Sequence, residues 1–109
     1  MRRIDRLRAL IAGIGDTPVV IAKPPLMTSN LPRAGTRGAA RLAACKAALA
    51  ALVAGRAHSN FLDFRVDDPV TRDQNNFMDS MHYRAPVARK IEQRIAESLR
   101  LGNAAPRGF

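Results

Sequence analysis

Apolar residues recur at three- and four-residue intervals at Ile4, Leu7, Ile11 and Ile14, which predicts an amphipathic helix over residues 2–13. Gly13 and Gly15 end it, and Asp16-Thr17 reads as a turn. The periodic pattern then gives way to a continuous apolar run, Pro18-Val19-Val20-Ile21-Ala22, the signature of a strand buried on both faces. Lys23-Pro24-Pro25 stops that strand, because proline has no N–H to give to a ladder. Residues 26–36 hold Thr, Ser, Asn, Pro and Gly and read as a loop. Residues 37–54 predict a second, alanine-rich helix with Leu42, Leu49 and Val53 on its apolar side, closed by Gly55. A second short strand follows at Asn60-Phe61-Leu62-Asp63-Phe64. Asp67-Asp68-Pro69 breaks the pattern, and residues 66–83 are polar and loop-like. Pro86 suits the first turn of a last helix, where its missing N–H costs nothing. That helix carries Val87, Ile91, Ile95 and Leu99 at four-residue spacing and ends at Gly102, leaving residues 103–109 as a frayed, flexible tail.

The order is helix, strand, helix, strand, long loop, helix. Strands alternating with helices imply βαβ units and a parallel sheet, hence an α/β fold. Two strands are few for an independent domain of that class, and an open edge on each side invites pairing with another chain. The sequence has no internal repeat that would double the sheet. Residues 1–102 therefore read as one domain that is half of a fold. A rival reading is a small α/β interaction or structural protein that self-associates through its exposed sheet edges.

Composition narrows this picture. With 47% apolar and 25% charged residues the chain is globular, not disordered. There is no Trp and only 5% aromatic content, so the core must come from Ala, Leu, Ile and Val. No apolar run approaches the roughly 20 residues a membrane span needs. The Arg-rich start is followed by helix-spaced apolar positions, so no signal peptide is expected. Cys45 is the single cysteine, which excludes an internal disulfide and makes it small core filler. The net charge of +9 is spread over every segment except the acidic stretch 57–79. A nucleic-acid binder more often shows a basic stripe interleaved with aromatics, so no specific nucleic-acid partner is expected. Arg65, Arg72 and Arg84 flank the acidic stretch and are candidates to pair with Asp63, Asp67, Asp68 or Asp73 as surface ion pairs.

One constellation carries chemistry. Asp79 stands three residues before His82, at the start of the last helical pattern. An imidazole that takes a proton from a nucleophile needs its other nitrogen held and its cation stabilised, and a carboxylate does both. The same spacing also suits Asp79 or Ser80 capping the first amides of a helix, with His82 partly exposed. Both readings stay open on spacing alone. His58 has no cysteine or carboxylate at metal-ligand spacing, so no metal is expected. Met78 and Met81 read as packing, and Tyr83 as a partly buried ring at a cleft rim.

From Pro18 to Leu101 the chain resembles the C-terminal portion of an SGNH/GDSL-type hydrolase or acyltransferase. The features that carry the resemblance are the strand ending in Pro24-Pro25, the helix after it, the strand Asn60–Phe64, and the block Asn76-Phe77-Met78-Asp79-Ser80-Met81-His82-Tyr83-Arg84 before a closing amphipathic helix. The resemblance implies that Asp79 is the triad acid and His82 the general base. It implies a flavodoxin-like three-layer α/β/α fold, of which this chain is the C-terminal half. Ester hydrolysis or acyl transfer would be its chemistry, on ester or O-acylated substrates including polysaccharides, with no cofactor. Relatives of this kind are often exported or membrane-anchored. The family's Gly-Asp-Ser nucleophile block and its oxyanion Gly and Asn have no counterpart here. Gly15-Asp16-Thr17 precedes its strand instead of following it, and Ser29, Ser59, Ser80 and Ser98 lack the setting. The chain alone is therefore expected to be inactive or nearly so.

Overall fold

A computed structural model describes residues 2–109, the side chain of Arg2 excepted. Four α-helices and a two-stranded parallel sheet follow in the order α1 (Arg2–Ala12), β1 (Val20–Lys23), α2 (Arg37–Val53), β2 (Asn60–Asp63), α3 (Pro69–Arg72) and α4 (Ala85–Leu101). The alternation of strands and helices is the α/β arrangement expected from the pattern. Two regions read as plain loop are more ordered than that. Thr28–Asn30 and Gln74–Asn76 each form a single 3-10 turn. Asp68 starts α3 through a capping box, its carboxylate accepting from Val70 N–H while the Thr71 hydroxyl accepts from the Asp68 amide.

β1 and β2 pair with Val20 opposite Asn60 and Lys23 opposite Asp63. The ladder is extended by Asn60 N–H to the Val19 carbonyl and Phe64 N–H to the Lys23 carbonyl, both 3.1 Å. Side chains alternate across a strand. Asn60, Leu62 and Phe64 therefore share one face with Val20 and Ala22, and that face meets Val87 and Ile91 of α4 to form the core. Leu62 and Phe64 are 0% exposed. Asp63 points to the opposite face, where Lys46 of α2 sits 2.8 Å from its carboxylate. The sheet is thus covered by α4 on one side and α2 on the other, with α1 packed on α2.

The face that α4 buries differs from the one its spacing suggests. Leu99 is 49% exposed, while Ser98 is fully buried. Four-residue spacing drifts about 40° per step on a helix of 3.6 residues per turn. Three steps from Val87 carry Leu99 off the core face, whereas eleven residues complete about three turns and bring Ser98 onto it. The buried hydroxyl is satisfied: Asn60 Nδ2 donates to Ser98 Oγ at 2.7 Å and to the Gly102 carbonyl at 2.8 Å. This joins the start of β2 to the end of α4, so α4 runs antiparallel to the strands and its N-terminus lies at the carboxyl end of the sheet.

Gly102 closes α4 at φ 60°, ψ −135°, a conformation only glycine adopts without strain. A Cβ there would also lie 3.0 Å from Nδ1 of His58. Gly102→Ala is expected to lower unfolding free energy by roughly 1–3 kcal/mol. An unchanged urea midpoint would show that the turn relaxes freely.

The last residues do not lie free. The Arg107 carbonyl accepts from Asp63 N–H at 2.9 Å, on the edge of β2 that faces away from β1. Arg94 Nε donates to the Gly108 carbonyl, and the Phe109 ring lies 5.0 Å from that of Phe64. Apolar burial of Phe109 and satisfaction of an edge N–H together hold a segment whose composition suggests fraying. Among the described residues the outward N–H and C=O groups of Val20 and Ala22, on the far edge of β1, have no strand beside them. No described helix is long and apolar enough to cross a membrane.

Candidate acid–base site

The segment after α3 folds back on itself as a tight antiparallel ribbon. Phe77 and Tyr83 face each other, Met78 N–H donates to the His82 carbonyl at 2.7 Å, and Arg84 N–H donates to the Asn76 carbonyl at 2.8 Å. Phe77 is buried and Tyr83 packs on the core, which anchors the base of the ribbon. The tip, residues 79–82, projects at the carboxyl end of the sheet, just before α4. A second loop supports it there. Met27 N–H and Asn30 Nδ2 both donate to the Ser80 carbonyl, at 3.3 and 2.9 Å. Asn30 belongs to the loop that leaves the carboxyl end of β1, so the ribbon tip is bound to the βα loops where ligands of open α/β sheets collect.

Asp79 and His82 are in contact. His82 Nδ1 lies 2.8 Å from both carboxylate oxygens of Asp79. Oδ1 of Asp79 also accepts from the backbone amides of Met81 at 2.8 Å and His82 at 3.0 Å. The carboxylate thus closes a four-residue turn and orients the imidazole with the same atoms. The capping reading and the orienting reading coexist, with one modification: the amides belong to the ribbon tip and not to α4, whose N-cap residue is Arg84. An ionised carboxylate only accepts, so Nδ1 carries the proton and Nε2 is left as the basic nitrogen. Among the described residues Nε2 has no hydrogen-bond partner. His82 and Asp79 side chains are 66% and 60% exposed.

The amide of Met81, and next the His82 imidazole, hold the Asp79 carboxyl below the ordinary aspartate range. A group depressed on folding stabilises the turn fully above its unfolded pKa and loses that contribution as pH falls through the lower folded value. The Met81 and His82 amide resonances are therefore expected to report a titration with a midpoint below that of an unstructured aspartate. A midpoint at or above it would show that the turn is not formed in solution.

Other candidates divide clearly. Arg72 pairs with Asp67 at 2.7 Å, as an exposed ion pair. Among the described residues the side chains of Arg65 and Arg84 form no ion pair with a carboxylate; they donate to the carbonyls of Pro24 and Phe77, tying loops to the sheet and to the ribbon, while the Arg65 backbone N–H donates to the Asp63 carboxylate. Met78 and Met81, expected to pack, are instead 63% and 62% exposed. His58 is exposed with φ 52° and stands beside Gly102. Cys45 is half-buried, 4.0 Å from Nζ of Lys23. Among the described residues no three His, Cys, Asp or Glu side chains gather as a metal site. Ser59 and Ser98 are buried and bonded elsewhere, and the Thr17 hydroxyl closes its own turn on the Ile14 carbonyl. Ser29 and Ser80 are exposed on the two loops at this end, without a hydrogen bond to His82. A cavity of about 410 Å³, lined by Val53, Ser59, Asn60 and Arg107, lies at the opposite, amino end of the sheet.

Local pattern did not reveal Asn30 and Met27 as supports of the ribbon tip. Their partner Ser80 is about fifty residues away, and only a tertiary contact brings them together. Comparison with protein-family models, with curated proteins and with solved structures finds no match.

Proposed function

We propose that this chain forms the acid–base part of an SGNH/GDSL-like esterase or O-acyltransferase, within a flavodoxin-like three-layer α/β/α arrangement. The observation that carries the reading is the bond from His82 Nδ1 to the Asp79 carboxylate on a braced ribbon at the carboxyl end of a parallel sheet. In this role Asp79 fixes the imidazole tautomer and stabilises its cation. Nε2 of His82 takes the proton from an attacking hydroxyl as it adds to an ester carbonyl, and then returns it to the departing alcohol. The chemistry needs a nucleophilic hydroxyl and oxyanion donors opposite Nε2, and among the described residues no hydroxyl is hydrogen-bonded to that nitrogen. The substrate class is an ester or O-acyl group, including those carried on polysaccharides.

The chain alone is expected to hydrolyse p-nitrophenyl acetate no faster than a free imidazole does, with His82→Ala removing that increment. Fast, saturable turnover that survives His82→Ala would exclude the pair as the reacting centre. A second reading, a small structural or interaction protein, draws on the unpaired outward groups of Val20 and Ala22. A discrete dimer in light scattering, lost when Ala22 is replaced by proline in an otherwise folded chain, would favour it.

A further inference from the structure

We propose that Asn30 is a positioning residue for the acid–base pair, acting on His82 through a continuous series of hydrogen bonds that crosses the Ser80–Met81 peptide unit and the Asp79 carboxylate. Its use in ester chemistry rests on the esterase reading above; the coupling itself belongs to this chain with or without a nucleophile. The series starts at Asn30 Nδ2, 2.9 Å from the Ser80 carbonyl oxygen. A carbonyl only accepts, so this partner fixes which end of the Asn30 amide faces it. The same peptide unit carries the Met81 N–H, which donates to Asp79 Oδ1 at 2.8 Å. Both carboxylate oxygens of Asp79 lie 2.8 Å from Nδ1 of His82.

A peptide unit is planar, and in the trans form its oxygen and its N–H point to opposite sides. The Ser80–Met81 unit is therefore gripped from both sides, by the β1–α2 loop at its oxygen and by Asp79 at its N–H. Rotating the unit breaks both bonds together. A donor at the oxygen also polarises the amide and strengthens its N–H as a donor. The Met81 amide is the first influence that keeps the Asp79 carboxyl ionised. The anion in turn requires the ring proton on Nδ1 and leaves Nε2 basic. Asn30 is thus felt at Nε2 without a hydrogen bond to the ring.

Asn30 is placed without help from its own side chain. Its backbone N–H donates to the Met27 carbonyl at 2.8 Å, within the turn Thr28–Asn30. Thr28 Oγ1 shares a 2.8 Å hydrogen bond with the hydroxyl of Thr71, a fully buried residue of α3, and another with the Asp67 carboxylate. The loop is therefore anchored on α3, and the Asn30 amide is left to serve the ribbon. Charged neighbours are engaged elsewhere. Asp67 pairs with Arg72, and Arg84 Nε donates to the Phe77 carbonyl. His82 is the charged group that acts on the Asp79 carboxyl.

The test is NMR on the ¹³C,¹⁵N-labelled full chain, reading the ring nitrogens of His82 in alkaline solution, where the imidazole is neutral, and the Asp79 carboxyl carbon through an acid titration. Asn30→Ala is expected to move the Nδ1–H to Nε2–H ratio about twofold to tenfold toward Nε2–H, the worth of one hydrogen bond. The longer Met27 N–H bond to Ser80, at 3.3 Å, stays in place and limits the change. The Asp79 midpoint is expected to rise toward the ordinary aspartate value. Asn30→Gln keeps the donor on a longer stem and is expected to return most of both changes. A residue that only filled the loop would move neither the tautomer nor the carboxyl. Amides outside the loop and the ribbon are expected to stay in place, because Thr28 and Thr71 hold the loop. An Asn30→Ala protein with the tautomer ratio and Asp79 midpoint of its parent would overturn the proposal. So would an Asn30→Gln protein that departs from the parent as far as Asn30→Ala does. Neither signal depends on ester turnover, so the coupling can fail while the esterase reading stands, and the reverse.

Discussion

Replacing His82 by alanine is expected to lower ester turnover about ten-thousand-fold in any assembly that sets a hydroxyl nucleophile opposite Nε2. The imidazole, with Nδ1 held by Asp79 and Nε2 left open, is the group placed to take the nucleophile's proton and give it back. Asp79→Asn is expected to cost nearly as much by a different route. An asparagine can still accept from the Met81 and His82 amides through one oxygen, so the turn persists. It no longer fixes the Nδ1–H tautomer or stabilises the imidazolium. Asp79→Ala removes both functions and should loosen the turn as well. Measuring kcat and KM beside the amide spectra of the three variants separates chemistry from loop order. Full turnover in an Asp79→Asn protein would show that the carboxylate serves only the backbone.

Phe64→Ala is expected to destabilise the fold by about 3–5 kcal/mol, a large fraction of the roughly 5–15 kcal/mol available to a domain of this size. Phe64 is fully buried beneath α4 and also holds the Phe109 ring that keeps the tail against β2. Its removal leaves a cavity and releases the strap together. Phe109→Ala, at a half-buried ring, should cost distinctly less. Urea denaturation reads both. A Phe64→Ala midpoint equal to that of Phe109→Ala would mean that the core beneath α4 collapses around the cavity.

The Asp-x-x-His spacing pointed to a carboxylate–imidazole pair because three residues can be bridged within one turn, a purely local constraint. The ribbon that presents the pair was harder to read. Its register depends on Phe77 and Tyr83 finding the core, which neither residue specifies alone. The exposure of Met78 and Met81 departs from the packing their sequence suggests for the same reason. A methionine in sequence carries no record of which face of a ribbon it occupies. Ser98 and Leu99 exchanged roles because small angular steps accumulate over three helical turns.

By itself the sequence determined α1, β1, α2, β2 and α4, but not α3 or the ribbon. Apolar periodicity, the prolines on either side of β1, the alanine-rich run of α2 and the glycine after α4 act within a few residues, so they can be read along the chain. It also determined that Asp79 and His82 could meet. Tertiary structure alone decided which faces are buried, that the tail accepts from Asp63 N–H on the outer edge of β2, and that Asn30 braces Ser80. Those outcomes depend on contacts between residues far apart in the chain. The tail and the Asn30 brace each supply a partner to a backbone group that no local pattern can assign.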